Sequence, residues 1–92
     1  MAEFDWDDER NRINRAKHGW DFAEAARVFL DPLFYGVDDR TIHYGEERCK
    51  VTGYAGRKLV TVVYTERNGI VRLISAHKPS PQERRDYESK IR

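Results

Sequence analysis

Arg72, His77 and Lys78 are the residues whose types and spacing most directly suggest chemistry. A cationic, partly titratable cluster gathered at a strand end is what a phosphate-handling site needs. Their placement follows from Asn68-Gly69, which lies between two β-rich runs. That pair is the strongest short hairpin signal, because both central residues of a type I′ turn need positive φ. With a two-residue loop, the expected register sets Thr65 opposite Arg72, Tyr64 opposite Leu73, Val62 opposite Ser75 and Val60 opposite His77. His77 and Lys78 then fall where the second strand hands over to a helix opened by Ser80-Pro81-Gln82-Glu83.

Other elements must hold that strand end in place. Phe4-Asp5-Trp6 alternates as a short edge strand does. Asp7 is a good N-cap and Gly19 a good C′ residue, so a first helix is expected over 8–18, with Lys17 and His18 in its last turn, where cations favour the macrodipole. Asp21 opens a second helix on which Phe22, Ala25, Ala26 and Phe29 keep helical spacing until Asp31-Pro32 stops it. Strands follow at 41–44, 48–54 and in the hairpin 58–77. A capping box at Ser80 and Glu83, with Pro81 at N1, starts a last helix on which Arg84, Tyr87 and Ile91 share a side. The pattern predicts an α+β fold: a short N-terminal strand, two helices, a three- or four-stranded, mostly antiparallel sheet and a C-terminal helix.

Ninety-two residues, 39% hydrophobic and 36% charged, are expected to form one globular domain over 1–92 with a very polar surface. No apolar run approaches the roughly 20 residues of a membrane span, and the N-terminus has no signal-peptide pattern, so a cytoplasmic location is expected. Cys49 is alone, which excludes an intrachain disulfide and a cysteine-based zinc site and leaves it as a half-buried strand residue. His18, His43 and His77 lack ligand spacing, Gly53-x-x-Gly56 lacks the Lys and helix of a phosphate loop, and no metal or other cofactor is expected. The net charge of +1 hides an asymmetry. Residues 1–47 hold 6 Lys/Arg and 12 Asp/Glu, residues 48–92 hold 11 and 4. The basic second half either pairs its charge across the fold or attracts a phosphate backbone.

Several motifs then occur in order: Phe4-x-Trp6-Asp7, Asn14-x-x-Lys17-His18-Gly19, Phe22-x-Glu24-Ala25-Ala26-x-Val28-Phe29, Asp31-Pro32, Glu46-Glu47-Arg48, the run 62–67, and Arg72-x-Ile74-Ser75-Ala76-x-Lys78 with Glu83-Arg84 and Tyr87. In these the chain resembles the BrnT family of type II toxins over nearly its whole length. The resemblance implies a RelE-like fold and a metal-independent endoribonuclease that arrests translation. It also implies a BrnA antitoxin whose ribbon-helix-helix domain binds the operon's own promoter, with a heterotetramer expected. One departure is visible: where members commonly carry an arginine between Ser-Ala and a basic residue, this chain has His77.

The chemistry of the residues is compatible with that implication. Metal-free RNA cleavage needs a base for the 2′-hydroxyl, an acid for the leaving 5′-oxygen and cations around the phosphorane. Arg48, Arg72 and Arg84 are candidate transition-state cations, His77 a candidate acid or base, Lys78 a base if its neighbours lower its pKa, and Glu47 a base or the partner of Arg48. Lys17, His18, Arg84 and Tyr87 are candidate substrate-binding residues. Each has a plain alternative: a solvated cross-strand residue, a helix-end cation, an i,i+4 partner. Trp6, Trp20, Tyr35 and Tyr44 read as core or interface aromatics, or as base-stacking platforms. The competing functional reading is a non-catalytic nucleic-acid-binding or interaction module within a repressor complex. It would show a broad basic strip or an apolar patch in place of a compact titratable cluster.

Overall fold

The computed structural model describes residues 3–43 and 46–90, with side chains for all of these except 35–43 and 46. The chain runs β1 (Glu3–Asp5), α1 (Asp8–His18), α2 (Phe22–Ala25), a 3-10 segment (Ala26–Leu30), β2 (Tyr35–His43), β3 (Glu46–Ala55), β4 (Lys58–Arg67), β5 (Ile70–His77) and α3 (Pro81–Lys90). Tyr44 and Ile91 lie outside the described residues, as do the side chains of Tyr35 and His43. The sheet order is β1-β5-β4-β3-β2, antiparallel except where β1 joins β5 in parallel. It has five strands, because the N-terminal segment completes it. None of the described helices is long and apolar enough to cross a membrane.

Local signals explain the boundaries. Asp7 accepts from the Glu9 N–H at 3.0 Å and starts α1, and left-handed Gly19 ends it by donating to the Arg15 carbonyl at 2.9 Å. Asn68 and Gly69 take φ of 54° and 79°, the mirror-image turn their types predict. Ser80 and Glu83 form a reciprocal capping box, with bonds of 3.1 and 2.8 Å. The single helix expected after Asp21 instead runs one α turn and then tightens into the 3-10 segment. A 3-10 helix rises about 2.0 Å per residue against 1.5 Å for an α-helix, so Asp31 is carried further, to the sheet edge.

One face of the sheet carries the core. Val51, Val60, Val62, Val71, Leu73 and Ala76 pack against Trp20, Phe22, Ala25 and Val28. Each large aliphatic or aromatic side chain buried there contributes about 1.5 to 3 kcal/mol.

Both sides of the sheet have open edges that side chains close. β2 pairs with β3 only as far as Thr52, and beyond it the Asp31 carboxylate accepts the Tyr54 N–H at 2.8 Å and the Tyr87 hydroxyl at 2.7 Å. A Cβ at Gly53 would lie 3.1 Å from that carboxylate, which explains the glycine. On the other side β1 covers β5 only over Ile70–Arg72. Further along, buried Asn14 of α1 takes over: its amide donates to the Ala76 and Trp20 carbonyls, each at 3.0 Å, and its carbonyl accepts the Ala76 N–H at 3.1 Å. The Ser75 hydroxyl reaches the same oxygen at 3.5 Å. The carboxamide thus stands in for a missing strand.

The register between β4 and β5 departs from expectation where Asn14 binds. Thr65 and Tyr64 face Arg72 and Leu73 as the turn predicts, but Val62 faces Ala76 and Thr61 faces His77, not Val60. Ile74 is an extra residue in β5, a β-bulge. Because side chains alternate with period two, that one residue transfers His77 from the core face to the face of Arg72.

Asn14→Ala should lose about 2 to 4 kcal/mol, because the Ala76 N–H and C=O are left buried without partners. Exposed Ile13→Ala should cost well under half as much. Urea unfolding of both variants checks this; equal midpoint shifts would show that the carboxamide clamps nothing.

Candidate active site on the open sheet face

The register and the pleat arrange the second sheet face as cross-strand rows. Thr65 and Arg72 are paired, and Asp5 of β1 continues that row. Arg48 belongs to it by alternation from Lys50. The next row is Lys50, Val63 and Ser75, and the third is Thr52, Thr61 and His77. Same-face rows lie about 7 Å apart. Arg48 and Arg72 therefore line one small groove of roughly 120 Å³, with Asp7 and Arg10 of the α1 region. Arg72 is paired with Asp5, and the Nε of Arg48 is buried without a hydrogen-bond partner among the described residues. A buried unpaired donor of that kind fits an incoming anion.

Two rows away His77 sits in a polar nest closed by α3. Its Nε2 lies 4.0 Å from Glu83 Oε1, and its ring centroid 5.7 Å from that of His18. Asn14 and His18 are one helical turn apart and share a side of α1, so the bond that fixes Asn14 on Ala76 also sets His18 over His77. Burial lowers the His77 pKa, and the charges of His18 and Lys50 add to that against the opposing pull of Glu83. Burial would raise Glu83, but the Ser80 N–H, Lys50 at 3.3 Å and the Thr61 hydroxyl at 3.1 Å together hold it below the ordinary carboxylate value. Since Thr61 spends its proton on Glu83, the 2.8 Å contact between Thr52 and Thr61 is donated by Thr52. The result is a neutral imidazole beside a fixed carboxylate and two cationic or titratable neighbours.

The remaining candidates fall elsewhere. Lys78 and Arg84 line a separate groove at the sheet end, and Lys17 is exposed on the last turn of α1. Alternation turns Glu47 away from Arg48, toward the opposite sheet face. Tyr87 is 3% exposed. Burial, and then its hydrogen bond to Asp31, push its pKa up to about 12, so it works as a strut between α3 and the sheet edge. Trp6 and Trp20 pack in or against the core. Cys49 is free and half-buried. Sequence reasoning passed over Lys50 and Glu83. Period-two alternation from Arg48 would have found Lys50, whereas Glu83 was legible as a helix cap and a motif residue but not as a site residue. No three His, Cys, Asp or Glu side chains among the described residues are gathered to hold a metal ion.

Comparison with known proteins bears on this arrangement. The family described as the ribonuclease toxin BrnT of type II toxin-antitoxin systems matches residues 6–83. No curated protein matches the chain.

His77 has a folded pKa below its unfolded value of 6.5, so between the two the unfolded chain binds more protons. Stability from this group is complete above about pH 6.5 and is lost as pH falls through the depressed value. Thermal melts from about pH 7.5 down to 5.5 should therefore show a falling Tm that is flatter in His77→Gln. A slope of the same size in the variant would assign it to another group.

Proposed function

This chain belongs to the BrnT family of ribonuclease toxins of type II toxin-antitoxin systems, and we propose that it is a metal-independent endoribonuclease that arrests translation by cutting RNA on the open sheet face. The observation that carries this reading is the convergence of His77, His18, Glu83 and Lys50 on a face that also presents Arg48 and Arg72. With Nε2 turned to Glu83, His77 offers Nδ1 to the substrate. It takes the proton of a 2′-hydroxyl as that oxygen attacks the adjoining phosphorus, and Glu83 stabilises the imidazolium that forms. His18 supplies the proton that the 5′-oxygen takes up as the P–O bond breaks. The products are a 2′,3′-cyclic phosphate and a 5′-hydroxyl. Lys50 lies closest to the reacting phosphate, and Arg48 and Arg72 hold phosphates further along the strand.

A type II toxin has an antitoxin partner. Here that partner is a BrnA-type ribbon-helix-helix protein, in a heterotetramer built on the antitoxin dimer, and both act in the cytoplasm where the RNA is. Covering the basic face is the simplest way to silence it, because one docked segment blocks phosphate binding and the histidines together.

His77→Gln should lower kcat by about 100-fold or more and abolish an acid limb lying below pH 6.5, while His77→Arg should also lose that limb. Arg48→Ala and Arg72→Ala should act mainly on KM, by about tenfold each, since they sit two rows from the chemistry. Cleavage of a defined RNA in EDTA, with end-group mapping, reads all of these. An unchanged pH profile in His77→Arg would remove His77 from the mechanism.

For the complex, hydrogen exchange should show protection of β5 and the start of α3 when antitoxin is bound. Protection confined to the other sheet face would refute inhibition by direct cover.

A further inference from the structure

Beyond the row of Thr52, Thr61 and His77, the same face continues into the paired residues Tyr54 and Leu59. There a groove of roughly 400 Å³ opens at the end of the sheet, walled by Trp20, Tyr54 and Leu59 and by four cations, Arg57, Lys58, Lys78 and Arg84. None of the four cationic side chains has an ion-pair or hydrogen-bond partner among the described residues. Arg12, Arg15, Lys50 and Arg72, by contrast, each meet a carboxylate. Four cations without a partner among the described side chains, set around one hollow, repel one another, and a polyanion entering it relieves that repulsion. Tyr54 adds a second kind of recognition. The residue is 42% exposed, and its ring is held edge-on to Tyr87 at 5.7 Å, so it presents a preset surface for a nucleobase.

We propose that this groove is a second RNA subsite, in which Arg57, Lys58, Lys78 and Arg84 hold a phosphate of the strand beside the cut and Tyr54 stacks its base. The proposal rests on the reading of the His77 face as the cleavage site. From the row of Arg48 to that of Tyr54 is six residues of β3, or about 20 Å, so the substrate is a single strand several nucleotides long that lies across His77. Continuity with that face and the combination of cations with an exposed aromatic favour a nucleic acid over an acidic protein segment.

The test is binding of 2′-O-methyl RNA oligomers, which cannot be cleaved, as a function of length and salt. Wild type should gain affinity once the oligomer is long enough to span both ends of the face. The double variant Arg57→Gln/Lys58→Gln should lose that gain, binding the long oligomer about tenfold more weakly with a salt slope reduced by about 1.4, two single-strand phosphate contacts' worth. Tyr54→Ala should weaken it severalfold and Tyr54→Phe should not. Arg12→Gln, on the far side of α1, serves as the control.

Equal affinities and slopes in wild type and the double variant overturn the subsite, as does a double variant that loses antitoxin affinity alone, which would make the groove a protein site. Wild type that fails to bind RNA also overturns it. If wild type binds with the expected length dependence but cuts nothing, the subsite stands and the catalytic reading falls.

Discussion

Everything specific about this face depends on one carboxamide. The bulge at Ile74 decides that His77 looks out beside Arg72 rather than into the core, and a bulge leaves the ladder short of partners. Asn14 supplies them to Ala76, the residue next to His77, through one amide proton and its carbonyl, and spends its other amide proton on the Trp20 carbonyl. The same contact fixes the rotation of α1, and hence where His18 lies. A polar residue in the interior is usually a cost. Here full satisfaction removes that cost and converts it into a choice of strand register.

Glu83 plays a comparable double part. As the acidic half of a capping box it starts α3; as a half-buried carboxylate it gathers Lys50, Thr61 and His77 under that helix. Helix initiation and site electrostatics are therefore inseparable at this residue. A change that weakens the cap also unseats the charge that faces the imidazole, whose pKa burial lowers.

Much of this was legible in the sequence. Helix α1, both of its caps, the Asn68-Gly69 turn and the Ser80 capping box follow from side chains acting on backbone groups within a few residues of themselves. The α+β class and the family motifs followed as well. What escaped was long-range. Nothing local to Ile74 announces a bulge, because its cause is Asn14, sixty-two residues from Ala76. The 3-10 segment escaped for the same reason, since Asp31 is pulled into place by Tyr54 and Tyr87. At the site, the cationic composition was plain, but its division into an arginine groove, a histidine nest and an end groove depends on register, and so did the turning away of Glu47.

The parallel seating of β1 on β5 gives the sheet an unusual order of assembly. The hairpin of β4 and β5 can close on itself, but the outer edge of β5 is completed by residues 3–5 at its start and by Asn14 beside His77, more than sixty positions earlier. Closing a loop of that length carries a length-dependent entropy cost of about 4 kcal/mol before any contact repays it. Non-local pairing of this kind also slows folding. A chain emerging from the ribosome therefore displays its first helices well before the His77 face exists. In this member of a ribonuclease toxin family, the face proposed to cut RNA is thus completed only once the C-terminal hairpin has met the N-terminal segment.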